Sequence, residues 1–535
     1  MTKFQICQMS RIPYTQQVTA SSFRSSMDDL GRVDCPMSDA GGEIAQERTM
    51  EDLPCIPDSQ RPQYHASLTA KIYETQYGKR TIGFIGGLCL MINNCLGPGL
   101  VQMNSQMQIS GWLPTIFAIC IFGLLAFTSS WMLLYAQSRI PVQGVGRVEF
   151  TGICEYFFER KIFLFCVLFY ILTMIVQCIS GIQQTMQLMD LLIVRLFGKS
   201  CALEIYPSFL SFPCSNIDSG FSVFAPGSGV VSLGFIASGL LAIPFGFFPL
   251  EDSIIFQIIS CAIMAICVVM LGVDLSFVGY QPSRLPAVGD SLSGLVGLMM
   301  FNFSLAFSLP SWNNERKHSV RVKRSVGSAI TIGSITMLIL GILGALAFAP
   351  QMAGSDKNLI DFASDTNRPV TIAAVYIFSL ANNVTTVPVF SIMIRYTLLE
   401  HKILRKPWVA NLLAIGLPWL LVIPFSTGSG FQKIIDFGGS IFIGITCFVA
   451  PPVLFVCALK PKWIFRSNRN APVKHEEDIE GNTITPMTSA IETQHDNDAQ
   501  FPPITAEKHV NYMSVGSLVI LAGLIGCLIY SWVTA

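Results

Sequence analysis

Eleven apolar stretches, each close to the length needed to cross a bilayer, divide this chain and restrict its fold more than any other feature. They cover residues 82–104, 111–137, 162–189, 230–248, 253–273, 291–310, 326–349, 370–398, 409–425, 433–459 and 515–533. About 20 apolar residues span roughly 30 Å of hydrocarbon as a helix. Inside lipid the backbone must satisfy its own polar groups, so helix is the expected form. The short segments of strict alternation that build a β-barrel are absent. Hydrophobic residues make up 51% and charged residues 13% of the chain, against about 25% charged in a soluble domain. The expected fold class is therefore an all-α integral membrane protein with about eleven transmembrane helices.

The distribution of charge orients these helices. Arg139, Arg147, Arg160 and Lys161 fall in one set of alternate loops, with Arg316, Lys317, Arg321, Lys323 and Arg324. Lys402, Arg405, Lys406, Lys460, Lys462, Arg466 and Arg469 belong to the same set. The opposite loops are poor in Lys and Arg. Positive loops stay on the cytoplasmic side, which places the N-terminus inside and the short C-terminus outside. Residues 1–80 are polar and read as a disordered cytoplasmic tail. Met1 to Gln8 lack the apolar core of a cleaved signal peptide, so the first span is expected to act as the signal anchor. Residues 81–460 form the core of ten helices, 461–512 a cytoplasmic loop and 513–535 the eleventh helix. No sorting signal separates a plasma membrane from a vacuolar or lysosomal one.

With 34 basic and 34 acidic residues the chain has no net charge, and a nucleic-acid partner is not expected. The six histidines fall in tails and loops, and no metal site is expected. Of 16 cysteines most sit in apolar segments as small hydrophobes. Cys201 and Cys214 share one polar outer loop and are expected to form a disulfide. No GxSxG, HExxH or phosphate-cradling loop is present, so an enzyme is not expected.

Two spans look interrupted. Asn93-Asn94-Cys95-Leu96-Gly97-Pro98-Gly99 lies in the middle of the first. Proline removes a donor and glycine tolerates unwinding. Unwound backbone inside a membrane needs a ligand, an ion or water as partner, and a half-helix N-terminus favours an anion. The bland alternative is a proline kink packed on its neighbours. The sixth span carries Phe301-Asn302-Phe303-Ser304 at mid-depth and Pro310 at its end. Interrupted spans at matching places in two halves point to a transporter site.

These residues resemble the amino acid/auxin permease family of the amino acid-polyamine-organocation superfamily. The likeness rests on Asn93-xxx-Gly97-x-Gly99 with Gly111-Trp112, and on Pro310-Ser311-Trp312-Asn313-Asn314-Glu315-Arg316-Lys317. It extends to Gly341 through Phe348, Val387-Pro388-Val389-Phe390 with Arg395-Tyr396, and Asp436-Phe437-Gly438-Gly439-Ser440 with Pro451-Pro452. It implies a leucine-transporter-like fold, a five-plus-five inverted repeat with one extra helix, and amino-acid substrates. Backbone N–H groups of Gly97, Pro98's neighbours and Gly99 would then hold a substrate carboxylate. Carbonyls of Phe301, Asn302, Phe303 and Ser304 would face its amino group. The chain departs from the family at Asn104, where a proline is usual, and at Ser304 and Ala306, where a glycine is.

Other polar residues at depth bear on the site. Gln177, Ser180 and Gln184 share one face of the third helix, as a cavity-lining stripe or as packing. Asn382, Asn383, Thr385 and Thr386 accompany Pro388 in the eighth. They serve either an ion or substrate site facing the first helix, or interhelical hydrogen bonds. Asn302-Phe303-Ser304 and Asn383-Val384-Thr385 match a glycosylation sequon but lie inside spans. Asp436, one turn into the tenth helix, is the best-placed acid for a coupling proton, or else pairs with Lys433. Asp190 and Glu251-Asp252 read as interfacial. No cofactor is expected, and H+, Na+ or uncoupled transport all stay open. The leading expectation is a transporter for a small amino acid working by alternating access. Its rivals are an amino-acid sensor signalling through the N-terminal tail and a permease for another small solute. Beyond substrate and lipid bilayer, the sequence names no partner, and it leaves the oligomeric state open.

Overall fold

The computed structural model describes residues 81–140, 148–352 and 368–459 with brief gaps in loops, together with Phe501 and parts of 512–526. The proposed tail and the long loop before the last helix otherwise lie outside the described residues.

The hydropathy pattern becomes helix almost throughout. Among the described residues, eight helices are long and apolar enough to cross a membrane, and a bent pair makes a ninth. In chain order the spans are Phe84–Cys95 with Pro98–Ser110, Trp112–Ser138, Arg160–Phe197, the shorter Leu233–Phe247, and Ile254–Ser276. Then follow Leu295–Glu315, Val322–Phe348, Pro369–Leu399, Pro407–Phe425 and Ile434–Leu459. The protein is a multi-pass integral membrane protein of the all-α class. Its eleventh expected segment is described only in part, helical at 512–517. Broad apolar faces point outward, as at Phe117, Ile121, Leu124, Ile255 and Ile266. Lipid solvates such faces, whereas water would penalise them.

Who packs on whom reveals the repeat. The first span lies against the fifth and the seventh, and the sixth lies against the tenth and the second. The third runs along the fourth and the tenth, and the eighth along the ninth and the fifth. Adding or subtracting five turns each pairing into another that is also present. Pairings of the first with the sixth, second with seventh and third with eighth map onto themselves. Because five is odd, the second set of five crosses the membrane in the opposite sense. The five-plus-five inverted arrangement is thus written in the contacts.

Several boundaries differ from the hydropathy reading. The first span continues to Ser110 instead of ending at 104, since Gln102, Asn104, Ser105 and Gln106 are polar yet buried inside protein. The sixth is displaced toward the basic side, because Pro310 begins its second helical half and does not end it. Pro at the first turn of a helix costs no hydrogen bond. The third span extends over 38 residues, about 57 Å at 1.5 Å per residue, so it protrudes beyond the hydrocarbon. A short helix, Phe150–Phe157, precedes it on the basic side. There His401 meets Glu155 at 3.0 Å and Thr151 at 2.7 Å. That contact holds the Glu155 carboxyl below its usual range.

On the opposite side, β1 (Ser200–Tyr206), β2 (Cys214–Ser215) and β3 (Gly229–Ser232) form an antiparallel sheet in the order β2-β1-β3. Cys201 and Cys214 stand directly opposite in register and are joined as a disulfide. Ser426 and Thr427, beyond the ninth span, bond to Val230 and Ser228. Asp190 is buried beside this sheet. It accepts hydrogen bonds from Ser200 (2.7 Å), the Gly234 amide (2.9 Å) and Ser232, which together replace water around its carboxylate. The disulfide closes a loop of sequence separation 13, which by loop entropy stabilises by about 3 kcal/mol. Cys201→Ser is therefore expected to speed amide hydrogen exchange in β1 and β3, and unchanged protection would refute that role.

Candidate functional site

Both interruptions are real breaks, and they meet. In the first span the α-helix stops at Cys95, and Pro98–Gln102 forms a 3-10 turn before helix resumes at Met103. The two halves are bent by 44°. In the sixth, α-helix ends at Asn302 and a 3-10 turn covers Ser304–Ser308 before the second half. Each 3-10 turn lies against the first helical half of the other span. The two spans approach closely at Gly99: a Cβ there would lie 2.2 Å from Asn302 Oδ1 and 3.1 Å from Phe301 Cδ1. Gly97 is different. Its φ of −67° suits any residue, and a Cβ would meet only Asn94 O at 3.9 Å.

Side chains of neighbouring helices close around this crossing. Asn94 Nδ2 donates to Ser308 Oγ at 2.9 Å, bridging the two broken spans. Gln177 Nε2 donates to Ser304 Oγ at 2.7 Å, tying the third span to the break in the sixth. The Ser304 carbonyl accepts a weak bond from Cys447 Sγ of the tenth. Ser180 turns back to the carbonyl of Gln177 in its own helix. Two turns beyond Gln177, Gln184 Oε1 accepts from Asn383 Nδ2 at 2.8 Å, linking the third and eighth spans. Phe301, Phe303 and Pro98 are buried at the crossing.

Asn93 points elsewhere. It donates to the Gln257 carbonyl at 3.0 Å and to its Oε1, and Gln257 Nε2 donates to the Thr385 carbonyl at 3.1 Å. The first span is thereby bonded through the fifth to the eighth. Gln257 is absent from the sequence-based candidates, although a lone amide in Ile254-Ile255-Phe256-Gln257-Ile258-Ile259 is a readable signal. Replacing Asn93 or Gln257 by Leu strands a buried amide, at a cost of about 1–3 kcal/mol each. The double variant is expected to lose less than the two singles together. A thermal-shift double-mutant cycle measures this, and strict additivity would show that the pair is not coupled.

The hydroxyls of Thr385 and Thr386 donate to Ala381 O, or to Asn382 O, within their own helix. Asp436 is apart from these residues. Its carboxylate abuts Gly294, at the start of the sixth span, where a Cβ would sit 3.0 Å from Oδ1. A helix N-terminus favours a fixed negative charge there. The side chain of Lys433 lies outside the described residues.

The site is polar without formal charge. Oδ1 of Asn93, Asn302, Asn382 and Asn383 and Nε2 of Gln184 are buried without a hydrogen-bond partner among the described residues. Such groups are normally satisfied, so each of these atoms has room for a polar partner such as water or a solute. Among the described residues no group of three or more His, Cys, Asp or Glu could hold a metal ion.

No protein-family model matches the chain, and no curated protein matches it. Solved structures do resemble it in outline. A mutant form of a manganese transporter of Eremococcus coleocola superposes with a TM-score of 0.45 at 12% identity, covering 84% of this chain and 94% of that one. MHP1, a nucleobase-cation-symport-1 family transporter in a closed conformation with bromovinylhydantoin bound, gives 0.47 at 13%, covering 85% and 94%. At these scores the likeness carries nothing about function.

Proposed function

We propose that this protein is a secondary transporter that moves amino acids across a membrane by alternating access, with the substrate held where the breaks of the first and sixth spans cross. The observation that carries the reading is the crossing itself, two unwound segments buried against each other at Gly99 and Asn302. In the 3-10 turn starting at Pro98, proline has no N–H and the Leu100 amide donates to Gly97 O at 3.1 Å, so the Gly99 amide is the one that would take a carboxylate at this helix start. Carbonyls of residues 301–304 would take an ammonium group. Gln177, Gln184, Asn382 and Asn383 add uncharged donors and acceptors, which suits a zwitterion of no net charge better than an ion. The amino-acid class itself rests on the resemblance to the amino acid/auxin permeases. H+, Na+ or no coupling ion would each fit, and Asp436, held at a helix start, is a weaker proton carrier than its depth in the sequence suggested.

The test is a panel of radiolabelled amino acids offered to proteoliposomes, with sodium and pH gradients imposed separately. Saturable uptake of at least one neutral amino acid is expected. Absence of flux for every amino acid, with correctly folded protein in the vesicles, would end the proposal. In the same assay, Asp436→Asn is expected to leave the pH dependence of uptake unchanged.

A further inference from the structure

The seventh span carries a stripe that the transport site does not use. A groove of 460 Å³ opens beside its first turns, lined by Lys323, Arg324, Gly327, Ser328, Thr331 and Ile332. Spacings of four put Lys323, Gly327 and Thr331 in one row and Arg324, Ser328 and Ile332 in the next, so all six share a face. Lys323, Arg324, Thr331 and Ile332 are exposed. The Lys323 ammonium lies 5.7 Å from the ring centre of Trp131, on the second span. Gly327 keeps the wall low between the cations and the hydroxyls. A Cβ there would touch only Phe127, at 3.5 Å.

The chemistry changes in order along the helix. Two cations come first, then the hydroxyls of Ser328 and Thr331, then Ile332, Ile335 and Ile339, all exposed. From Lys323 to Ile339 the axial rise is about 24 Å at 1.5 Å per residue. One leaflet with its headgroup region measures roughly 20–22 Å. Cation, hydroxyl and aliphatic surface therefore succeed one another over the depth at which a phospholipid presents phosphate, glycerol esters and acyl chain. The cations lie on the basic side of the protein, the face expected to meet an anionic leaflet.

We propose that this groove binds one anionic phospholipid, its phosphate between Lys323 and Arg324, its glycerol region at Ser328 and Thr331, and its acyl chain along Ile332, Ile335 and Ile339. Gly327 makes room for the headgroup.

Native mass spectrometry of the full-length protein, titrated with phosphatidylglycerol, phosphatidylcholine or inorganic phosphate, tests this. Phosphatidylglycerol is expected to bind more tightly than phosphatidylcholine, and excess inorganic phosphate is expected not to displace it. Removing both charges in Lys323→Gln/Arg324→Gln should weaken phosphatidylglycerol about thirtyfold, on the basis of two basic side chains near an anionic surface. Gly327→Leu should weaken it while every charge stays in place. Arg321→Gln, an exposed cation that does not line the groove, should leave binding unchanged. The proposal is overturned if phosphatidylcholine binds equally, or if Arg321→Gln weakens binding as much as the double variant. It is also overturned if Gly327→Leu has no effect, or if inorganic phosphate displaces the lipid, which would mark a free-anion site.

Discussion

Replacing Gly99 by alanine is expected to reduce amino-acid uptake by about tenfold or more, whereas the same change at Gly97 leaves it within roughly twofold; misplacement by an ångström is enough for losses of that order. The two glycines look equivalent in the sequence and differ in their surroundings. At Gly99 a methyl group would stand 2.2 Å from Asn302 Oδ1, and Asn302 is buried and cannot swing into solvent. Overpacking of this kind costs about 1–3 kcal/mol and is relieved by moving one break away from the other. That movement displaces the amide and carbonyls proposed to hold the substrate. At Gly97 the same methyl meets nothing nearer than 3.9 Å, in a backbone conformation open to alanine. Uptake by both variants, normalised to protein in the membrane, decides the matter. Normal transport by Gly99→Ala would mean that the close approach is dispensable and that the substrate lies elsewhere.

The second large effect concerns the basic side of the same span. A Cβ on Gly87 would lie 2.2 Å from Trp312 Nε1 and 2.9 Å from Cε2. Trp312 is only 2% exposed, and its rigid ring has few places to go. Gly87→Ala is therefore expected to push the first half of the first span off the end of the sixth. A penalty of about 1–3 kcal/mol on the arrangement described here would shift a two-state balance by roughly 5- to 150-fold. Cys95, fully buried beside the break, reports the change. Its labelling by a hydrophilic thiol reagent should accelerate in Gly87→Ala, with Cys95→Ser as the blank. An unaltered rate would show that the contact does not hold this end closed.

Much of the architecture was legible because lipid leaves few options. A window of apolar residues in a membrane has to be helix, so the spans followed from hydropathy. Pro98 with two glycines announced the first break for the same reason. The sixth break was harder to place, since Ser304 and Ala306 carry no helix-breaking chemistry. The 3-10 geometry there comes from packing on the first span and from Gln177 reaching Ser304. Hydropathy failed where polar residues are covered by protein instead of lipid. Gln102, Asn104 and Gln106 ended the first span too early on paper, and the burial of Asp190 was hidden because its partners, Ser200, Ser232 and Gly234, carry no charge. Short pieces such as Phe150–Phe157 and the three strands were too brief for any periodicity to declare them. The bonds from Asn93 through Gln257 to Thr385 connect three spans, and no local pattern encodes a partner 164 residues away.

The exchange of neighbours under a shift of five has a further meaning. Each half grips the other through the same set of helix pairs, seen from opposite faces of the membrane. On the proposed transport cycle, whatever loosening would open the crossing to one side has a counterpart, made of corresponding helices, that would open it to the other. Such a molecule resembles a see-saw whose two arms were cut from one template, and its bias comes only from where the arms differ. Trp312 wedged against Gly87 weights one end, and the disulfide-stapled sheet joined to Ser426 and Thr427 weights the other. The sequence differences between the two halves would then set the resting tilt, and the shared plan would set the axis about which it turns.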